Sequence, residues 1–215
     1  MKISKTPREV TEEVKMKVLV EIAHPKGVNT FRNIIKELEK RGHTVLIAAK
    51  NKENVIEILD CYKMNYLKLP HYNSKLSKAI GIPKIQLSIL KIALEFSPDL
   101  FISPVSPYSS YVSKILKKPC ISFADTDTRK RIVYNLSLPF TDAVFIPSCF
   151  RFNLGVKEIR YNGYTELFYL HPENFKPNCK VLREMGISKK DKYVAMRISS
   201  LKAYHDINSS GMNFR

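Results

Sequence analysis

Short apolar runs alternate along the chain with longer segments in which apolar residues recur at helical spacing. Six of these runs are apolar at consecutive positions, which is typical of strands that are buried on both faces of a parallel sheet. The predicted strands are Lys17–Ala23, Thr44–Ala49, Tyr66–Leu69, Leu100–Ser103, Cys120–Phe123 and Ala143–Ile146.

The segments between these strands have the pattern of amphipathic helices. The clearest set falls on one helix face and is followed by Gly42, a typical C-terminal stop. Its members are Phe31, Ile34, Ile35 and Leu38. Further helices are predicted for 55–62, 83–96, 106–116 and 130–136, with a polar loop at 71–81. Strands that alternate with helices in this way predict an α/β fold with a Rossmann-like, doubly wound parallel sheet.

The pattern changes after Ser148. Proline-containing segments near residues 171–177 are typical of a linker, and Lys192–Ile198 then predicts a new buried strand. A lone strand cannot form a sheet, so this strand predicts a second domain that is truncated. The predicted division is a polar tail at 1–15, an amino-terminal domain at 16–172, and a linker with the start of a second domain at 173–215.

The formal charge of +16, from 36 Lys and Arg against 20 Asp and Glu, first suggests a nucleic-acid partner. The basic residues are however scattered along predicted helix faces beside glutamates, and no helix-turn-helix, zinc-finger or RNA-recognition pattern is present. Nucleic acid is therefore not the expected partner. An anionic membrane surface or an anionic substrate stays open as the alternative.

The sequence favours a cytoplasmic protein. The four cysteines lie far apart and form no C-x-x-C pair, which is typical of thiols in a reducing compartment. No apolar run is long enough to span a bilayer, and Met1–Lys15 has no apolar signal-peptide core. Lysines that flank the apolar face of the third helix could contact the inner face of a membrane, or simply be the solvated side of a core helix. They are Lys75, Lys78, Lys84 and Lys91.

Polar side chains follow the predicted strands at the points where those strands end. His24, Lys26 and Gly27 come after the first strand, Ser103 closes the fourth, and Asp125 follows the fifth. Because ligands of doubly wound sheets bind at the carboxyl ends of the strands, we expect these residues to meet in one crevice. His24 and Asp125 are the catalytic candidates, and the others are predicted to bind substrate.

The role of His24 has two open interpretations. It could act as a base or bind phosphate or sugar, with Lys26 adding charge and the N–H groups near Gly27 and the helix start acting as donors. The alternative is a turn histidine that only bonds to a backbone carbonyl.

Carboxylates and aromatic residues complete the set of candidates. Asp125 is predicted to act as a base or to bind sugar hydroxyls, whereas Asp127 either binds substrate or caps the following helix. Without a third ligand, this pair predicts no metal site. Tyr164 and Glu166 belong to an aromatic-polar cluster that either lines the cleft or packs between domains.

Several segments also carry a family resemblance. In chain order they are VEIAHPKGVNTFRNIIKELEKRGHTVLIAAK, SPVSPYSSYVSKILKKP, FADTDT, PFTDAVFIPSCF, RYNGYTELFYLHPENFKP and DKYVAMRISS. Together they resemble domain-of-unknown-function family 354 over Met16 to Gly211. The resemblance implies a two-domain GT-B fold, related to the transferase that adds N-acetylglucosamine to a lipid-linked muropeptide and to nucleotide-sugar 2-epimerases. Family members are usually longer, and this chain resembles their amino-terminal half plus the first strand of the second half.

The resemblance also implies a function. It points to sugar transfer from a nucleotide sugar to a sugar or lipid-linked acceptor, independent of metal and without a cofactor, and it implies that Arg197 and His205 face the donor diphosphate. The chain departs from the family pattern at Glu21, usually aspartate, at Asp127-Thr128, often Glu-His, and at Thr165, usually histidine. These departures put an acid–base role at the last two sites in doubt.

Three functional hypotheses follow for this chain. As a fragment without its donor domain it is expected to be inactive in sugar transfer. A nucleotide-sugar 2-epimerase is the first alternative, since such enzymes share the fold. A non-catalytic sugar-binding or partner-binding half, completed by a separately encoded second domain, is the other.

Overall fold

The computed structural model describes residues 14–70, 72, 75–127, 132–188 and 190–196, with only the backbone described over 75–80. The chain divides into two units, 1–174 and 175–215.

The first unit is built on a single sheet of parallel strands. Within the described residues the sheet has seven strands in the order β3-β2-β1-β4-β5-β6-β7, and every neighbouring pair is parallel. Their bounds are β1 Lys17–Ile22, β2 Thr44–Lys50, β3 Tyr66–Leu69, β4 Leu100–Pro104, β5 Cys120–Phe123, β6 Ala143–Pro147 and β7 Glu158–Tyr161. The six strands predicted from the sequence are confirmed, and β7 is an addition.

Helices cover both faces of this sheet, as the doubly wound prediction requires. Val18, Val20 and Ile22 of β1 face α1 and α2, whereas Leu19 faces α3 and α4. The helix bounds are α1 Pro25–Lys40, α2 Val55–Cys61, α3 Lys75–Phe96, α4 Ser109–Ile115, α5 Ile132–Ser137, α6 Leu167–Leu170 and, in the second unit, α7 Lys180–Glu184.

The chain reverses its winding direction between β1 and β4. From β1 it proceeds outward through β2 to β3, and it then returns to the other side of β1 and continues outward from β4 to β7. A crevice opens at the carboxyl ends of the strands at such a reversal, because the two connections that leave there go to opposite faces. In this protein the reversal places the start of α1 and the loop after β4 side by side.

The start of α3 differs from the prediction. The helix begins at Lys75 and contains Pro83 in its interior, whereas the sequence pattern predicted a loop up to Gly81. Pro83 removes only one helical hydrogen bond, and its side chain lies on the exposed face. Gly81 is needed within this helix because a Cβ there would collide with the Tyr72 ring.

A buried carboxyl group joins β1 to the start of α4. Glu21 is 1 % exposed, and its Oε1 accepts a hydrogen bond of 2.8 Å from Ser106 Oγ. Its Oε2 accepts bonds from Ser109 Oγ at 2.6 Å and Ser109 N at 3.1 Å. The sequence pattern predicted a helix over 106–116, but this helix begins at Ser109. Ser106 instead fixes the preceding turn, donating to Glu21 and accepting from Tyr108 N at 3.2 Å.

The titration of Glu21 depends on this environment. Burial raises the pKa of the Glu21 carboxyl, and the hydrogen bonds from Ser109 and Ser106 and the charge of Lys50 offset the increase only in part. Lys50 lies over the Tyr108 ring, with Nζ 3.2 Å from its hydroxyl. An ionisable carboxyl group is therefore buried in the middle of the sheet with hydroxyl, amide and ammonium groups around it.

The second unit contains little regular structure in its described part. It has α7, and residues 192–196 after it form no strand. Tyr193, Val194 and Met196 are 57 %, 88 % and 70 % exposed, so the predicted buried strand is wrong for these residues. The described residues of this unit supply no neighbouring strand with which the segment could pair. Residues 197 and 198, the end of that prediction, lie outside the described residues.

Along α3, the apolar and basic side chains on the exposed side alternate. Leu87 and Leu94 are 57 % and 61 % exposed, and Lys84 and Lys91 lie exposed at neighbouring helical positions. Across the described part of the chain, no helix combines the length and the apolar character needed to cross a bilayer.

Substitution of Glu21 tests the buried network. Glu21→Ala is expected to lower the free energy of unfolding by about 2–4 kcal/mol, because it leaves a cavity and removes the acceptor of the Ser106 and Ser109 bonds. Glu21→Gln keeps an acceptor and removes the ionisable group, so it is expected to be tolerated.

The pH dependence of the free energy of unfolding distinguishes the effect of the Glu21 charge from the effect of the side-chain shape. A raised folded-state pKa means that the stability from Glu21 is complete below its unfolded pKa and is lost as pH rises through the folded value. The free energy of unfolding of Glu21→Gln, measured in urea, should therefore increase relative to that of the wild type as the pH rises from 5 to 8. A constant difference between the two proteins over this range would show that the buried charge carries no such cost.

Candidate functional site

Three distant segments bring charged side chains together at the carboxyl ends of the strands. The first turn of α1, which follows β1, supplies Lys26; the segment after β5 supplies Asp125, and the segment after β7 supplies Glu166. Lys26 Nζ lies 3.0 Å from Glu166 Oε1 and 3.4 Å from Asp125 Oδ2. The structure thus places one ammonium group between two carboxylates, in the crevice that the reversal of the sheet creates.

The ion pairs shift the titration of their members. Partial burial lowers the pKa of Lys26, but the Glu166 and Asp125 carboxylates outweigh it and hold this pKa above its usual value. Burial likewise raises the pKa of Glu166, and the bond to Lys26 outweighs it, so the pKa lies below its usual range. At neutral pH, both Lys26 and Glu166 are therefore charged.

His24 caps the helix that starts beside it. Its backbone is extended, with φ −153° and ψ 149°, and its Nδ1 accepts a hydrogen bond of 3.2 Å from Lys26 N. Gly27 N donates to the carbonyl oxygen of His24 at 2.8 Å. Pro25 stands at the first helical position, where a missing N–H costs nothing. The backbone N–H groups of Lys26 and Gly27, which were predicted to be donors to an anion, are thus already hydrogen-bonded within the turn.

The other ring nitrogen of His24 contacts a residue that was not predicted to belong to the site. Its Nε2 lies 3.4 Å from Glu53 Oε2, and Glu53 also pairs with Lys52 at 3.2 Å. Glu53 has a left-handed backbone, with φ +52°, which turns the chain after β2 towards the crevice. The rule that strand ends carry the site would have found it, since it follows β2 by three residues.

The hydrogen bonds of His24 determine its tautomer. An Nδ1 that accepts an N–H carries no proton, so the neutral ring holds its proton on Nε2 and donates it towards Glu53. Burial and the charge of Lys52 lower the pKa of His24, outweighing Glu53 and Asp125, which favours this neutral form. In this arrangement neither nitrogen offers a free lone pair, and His24 is a hydrogen-bond donor.

The polar groups lie above an aromatic floor. Phe123 contacts Phe31 edge-on at a centroid distance of 5.6 Å, stacks on Phe145 at 5.2 Å and meets Phe168 at 5.8 Å. A cavity of about 70 Å³ lies between this floor and the rim, bordered by His24, Lys26, Gly27, Thr30, Pro104, Phe123 and Asp125 among others. A Cβ on Gly27 would make only an ordinary contact of 3.5 Å with Ile22, so packing does not require glycine there.

The crevice does not include every residue predicted for it. Ser103 is wholly buried, and its hydroxyl lies 3.4 Å from Ser122 Oγ inside the sheet layer, so it cannot face a ligand. Asp127 Oδ2 accepts a bond of 3.1 Å from Arg151 N and so binds the loop after β6. Tyr164, two residues before Glu166 in the sequence, is 52 % exposed. Arg197 and His205 lie outside the described residues.

A wider depression of about 530 Å³ lies elsewhere, along α1 and α6. It is bordered by Asn33, Leu38, Arg41, His43, Phe168 and His171 among others. None of the ion pairs around Lys26 reaches it, so the smaller crevice is the candidate site. Among the described residues, no group of three or more potential metal ligands is clustered anywhere.

Removal of the central ammonium group should be visible in the titration of its partner. In Lys26→Met, the pKa of Glu166 is expected to rise towards the ordinary glutamate value, because the opposite charge that lowers it is gone. The measurement is a carbon-detected NMR titration of the Glu166 carboxyl group. Lys36→Met, on the exposed side of the same helix, is the matched control and should leave this pKa unchanged. An unchanged Glu166 pKa in Lys26→Met would contradict the ion pair.

Solved structures with the same fold are glycosyltransferases and nucleotide-sugar epimerases. MurG from Acinetobacter baumannii matches with a TM-score of 0.57 at 14 % identity, over 68 % of this chain and 45 % of that one. The spinosyn forosaminyltransferase SpnP matches with 0.53 at 15 %, over 70 % and 52 %. The UDP-GlcNAc 2-epimerase from Methanocaldococcus jannaschii matches with 0.50 at 18 %, over 62 % and 40 %. This fold is the GT-B type, and the chain spans about half the length of these proteins or less.

Sequence comparison gives the family. None of the curated proteins matches the chain. The family model described as protein of unknown function (DUF354) matches residues 16–211, in agreement with the resemblance seen in the sequence motifs. Since the match extends over most of the chain, the protein belongs to the DUF354 family.

Proposed function

We propose that residues 16–174 form the acceptor side of an enzyme that transfers sugar from a nucleotide sugar. The observation that carries the proposal is the Lys26 ammonium group, held between Asp125 and Glu166 beside His24 at the reversal of the sheet. Such a position is where doubly wound folds bind their ligands. Paired carboxylates and a neutral imidazole donor are groups that bind sugar hydroxyls.

The balance of charge favours a neutral ligand part in this crevice. Among the residues that the structure describes there, carboxylates outnumber ammonium groups: the carboxylates are Glu53, Asp125 and Glu166, and the ammonium groups are Lys26 and Lys52. A diphosphate would meet these carboxylates with like charge, and the first N–H groups of α1 are already bonded within the turn. The proposal therefore puts the nucleotide diphosphate on a second domain and the sugar hydroxyls of the acceptor here.

Asp125 is the proposed base. Its carboxylate is about half exposed at the crevice and keeps lone pairs beyond those used by Lys26 and Thr126. In sugar transfer it would take the proton of the acceptor hydroxyl as that oxygen bonds to the anomeric carbon, while the diphosphate leaves with the bonding electrons. His24 would donate its Nε2–H to a sugar oxygen in place of Glu53. A base role for His24 would require it to give up the bond from Lys26 N.

Other expectations from the sequence remain predictions. Substrate binding by Tyr164, Asp127, Arg197 and His205 belongs to this group, as do completion by a separately encoded second domain and a cytoplasmic location. The epimerase hypothesis also stays open, because epimerases share the fold.

Binding experiments test the acceptor-side proposal on this chain. The ¹⁵N-labelled protein is titrated with N-acetylglucosamine, UDP-N-acetylglucosamine and inorganic pyrophosphate while backbone NMR signals are followed. Both sugar compounds are expected to shift the amide signals of Lys26, Gly27 and Asp125, and Lys26→Met should reduce these shifts whereas Lys36→Met should not. Shifts caused by pyrophosphate but not by N-acetylglucosamine would overturn the proposal.

Turnover separates transfer from isomerisation. This chain alone is expected to transfer no measurable sugar, because the proposal puts the nucleotide on a second domain, and measurable transfer by it would contradict that division. In a two-domain family member, UDP release from UDP-N-acetylglucosamine that requires an added acceptor would support transfer. Epimerised sugar formed without an acceptor would establish the isomerase instead.

Contact with an anionic membrane is a separate proposal, supported by the exposed leucines and lysines of α3. The protein is expected to sediment with vesicles that contain anionic phospholipid and not with neutral ones. Leu87→Glu should weaken this binding, because it puts a negative charge between Lys84 and Lys91. Equal sedimentation with both kinds of vesicle, or with neither, would refute the contact.

A further inference from the structure

Tyr161 ends β7 at the rim of the candidate site. Its backbone is paired with Pro147 of β6, and its carbonyl oxygen accepts a bond of 2.9 Å from Ser148 N. The ring tilts against Phe168 at a centroid distance of 5.5 Å and so extends the aromatic floor beneath the ion pairs. Packing against this floor accounts for the position of the ring.

This packing does not explain why the hydroxyl group of Tyr161 is buried. Its oxygen is buried, and among the residues that the structure describes it has no hydrogen-bond partner. Buried phenols normally have one, since removal of the O–H from water without replacement is unfavourable. The buried Tyr134 follows this rule, since its hydroxyl donates to the carbonyl oxygen of Thr126 at 3.0 Å, and even the exposed Tyr66 hydroxyl donates to Asp60 at 2.8 Å.

The charges around this hydroxyl belong to the crevice. Burial, and then the charges of Glu166, Cys149 and Asp125, raise the pKa of Tyr161 to about 12. The phenol therefore keeps its proton at physiological pH. An O–H donor is thus within the electrostatic influence of both carboxylates of the Lys26 cluster, and among the described residues it is bonded to neither.

We propose that the Tyr161 hydroxyl is a ligand-binding group of the crevice, which donates its hydrogen bond to an oxygen atom of the bound sugar. The inference rests on the proposed function and extends it by one residue and one contact. The sugar oxygen would lie between the phenol and the Lys26–Glu166 pair, with the ring of Phe168 below it. A ligand without that oxygen would leave the phenol unsatisfied, so Tyr161 would select for an oxygen-bearing position.

Tyr161→Phe tests this inference because it removes one oxygen atom and retains the ring. The free energy of unfolding should be equal to that of the wild type or higher, since no intramolecular bond is lost. The dissociation constants of N-acetylglucosamine and UDP-N-acetylglucosamine, measured by the same NMR titration, should rise by about 3–10-fold. Tyr66→Phe, which removes a phenol oxygen at β3, is the matched control and should leave both constants unchanged.

Each outcome bears on the inference. If the wild type binds the probes and Tyr161→Phe binds them equally well, the hydroxyl is satisfied by solvent and the inference fails while the proposed function stands. If Tyr161→Phe is clearly destabilised, the hydroxyl has a partner within the chain and the inference also fails. If the wild type binds neither probe, the proposed function fails and the inference falls with it.

Discussion

The site depends on one topological constraint, the reversal of the parallel sheet between β1 and β4. Because α1 and α4 leave neighbouring strands towards opposite faces, their starts stand apart above the sheet and leave room for a ligand. The two sides of this gap need a connection that fixes their spacing. Glu21 connects β1 to the start of α4 beneath the crevice, because its carboxyl group accepts hydrogen bonds from Ser106 and Ser109. The hydrogen bonds of one buried carboxyl group in the central strand thus stabilise the frame around the crevice.

Above this frame, Lys26 assembles the site from segments that are far apart in the sequence. Asp125 and Glu166 each come from a different strand end, and both are oriented towards the same ammonium group. The ammonium charge lowers the pKa of Glu166 and so keeps it ionised, while His24 stays neutral through burial and the nearby Lys52. Among the described residues, the result is a mixed surface of acceptors and donors over an aromatic floor, as the proposed binding of sugar hydroxyls requires.

Sequence reasoning finds the elements that have strong periodicity and misses those whose burial is decided by neighbours. The six apolar strands are confirmed, but β7, with the sequence EIRY, is a half-exposed edge strand without an apolar run. Ser103 was placed in the crevice because it ends a strand, yet strand side chains alternate in direction and helices cover both faces, so this one points inward. Glu53 was overlooked because the strand-end rule was not applied to β2, which ends three residues before it; the bend of the chain there brings Glu53 to His24.

The ligand-free crevice already satisfies most of its own polar groups. His24 uses one nitrogen for Lys26 N and points the other at Glu53, and Lys26 is paired twice. A ligand must therefore exchange with these internal partners, and each exchange yields only a small net gain because a bond is lost for each one made. Ligand affinity of this crevice alone is accordingly expected to be weak. Strong binding would need groups that gain a partner without losing one, or contacts from a second domain that closes over the crevice.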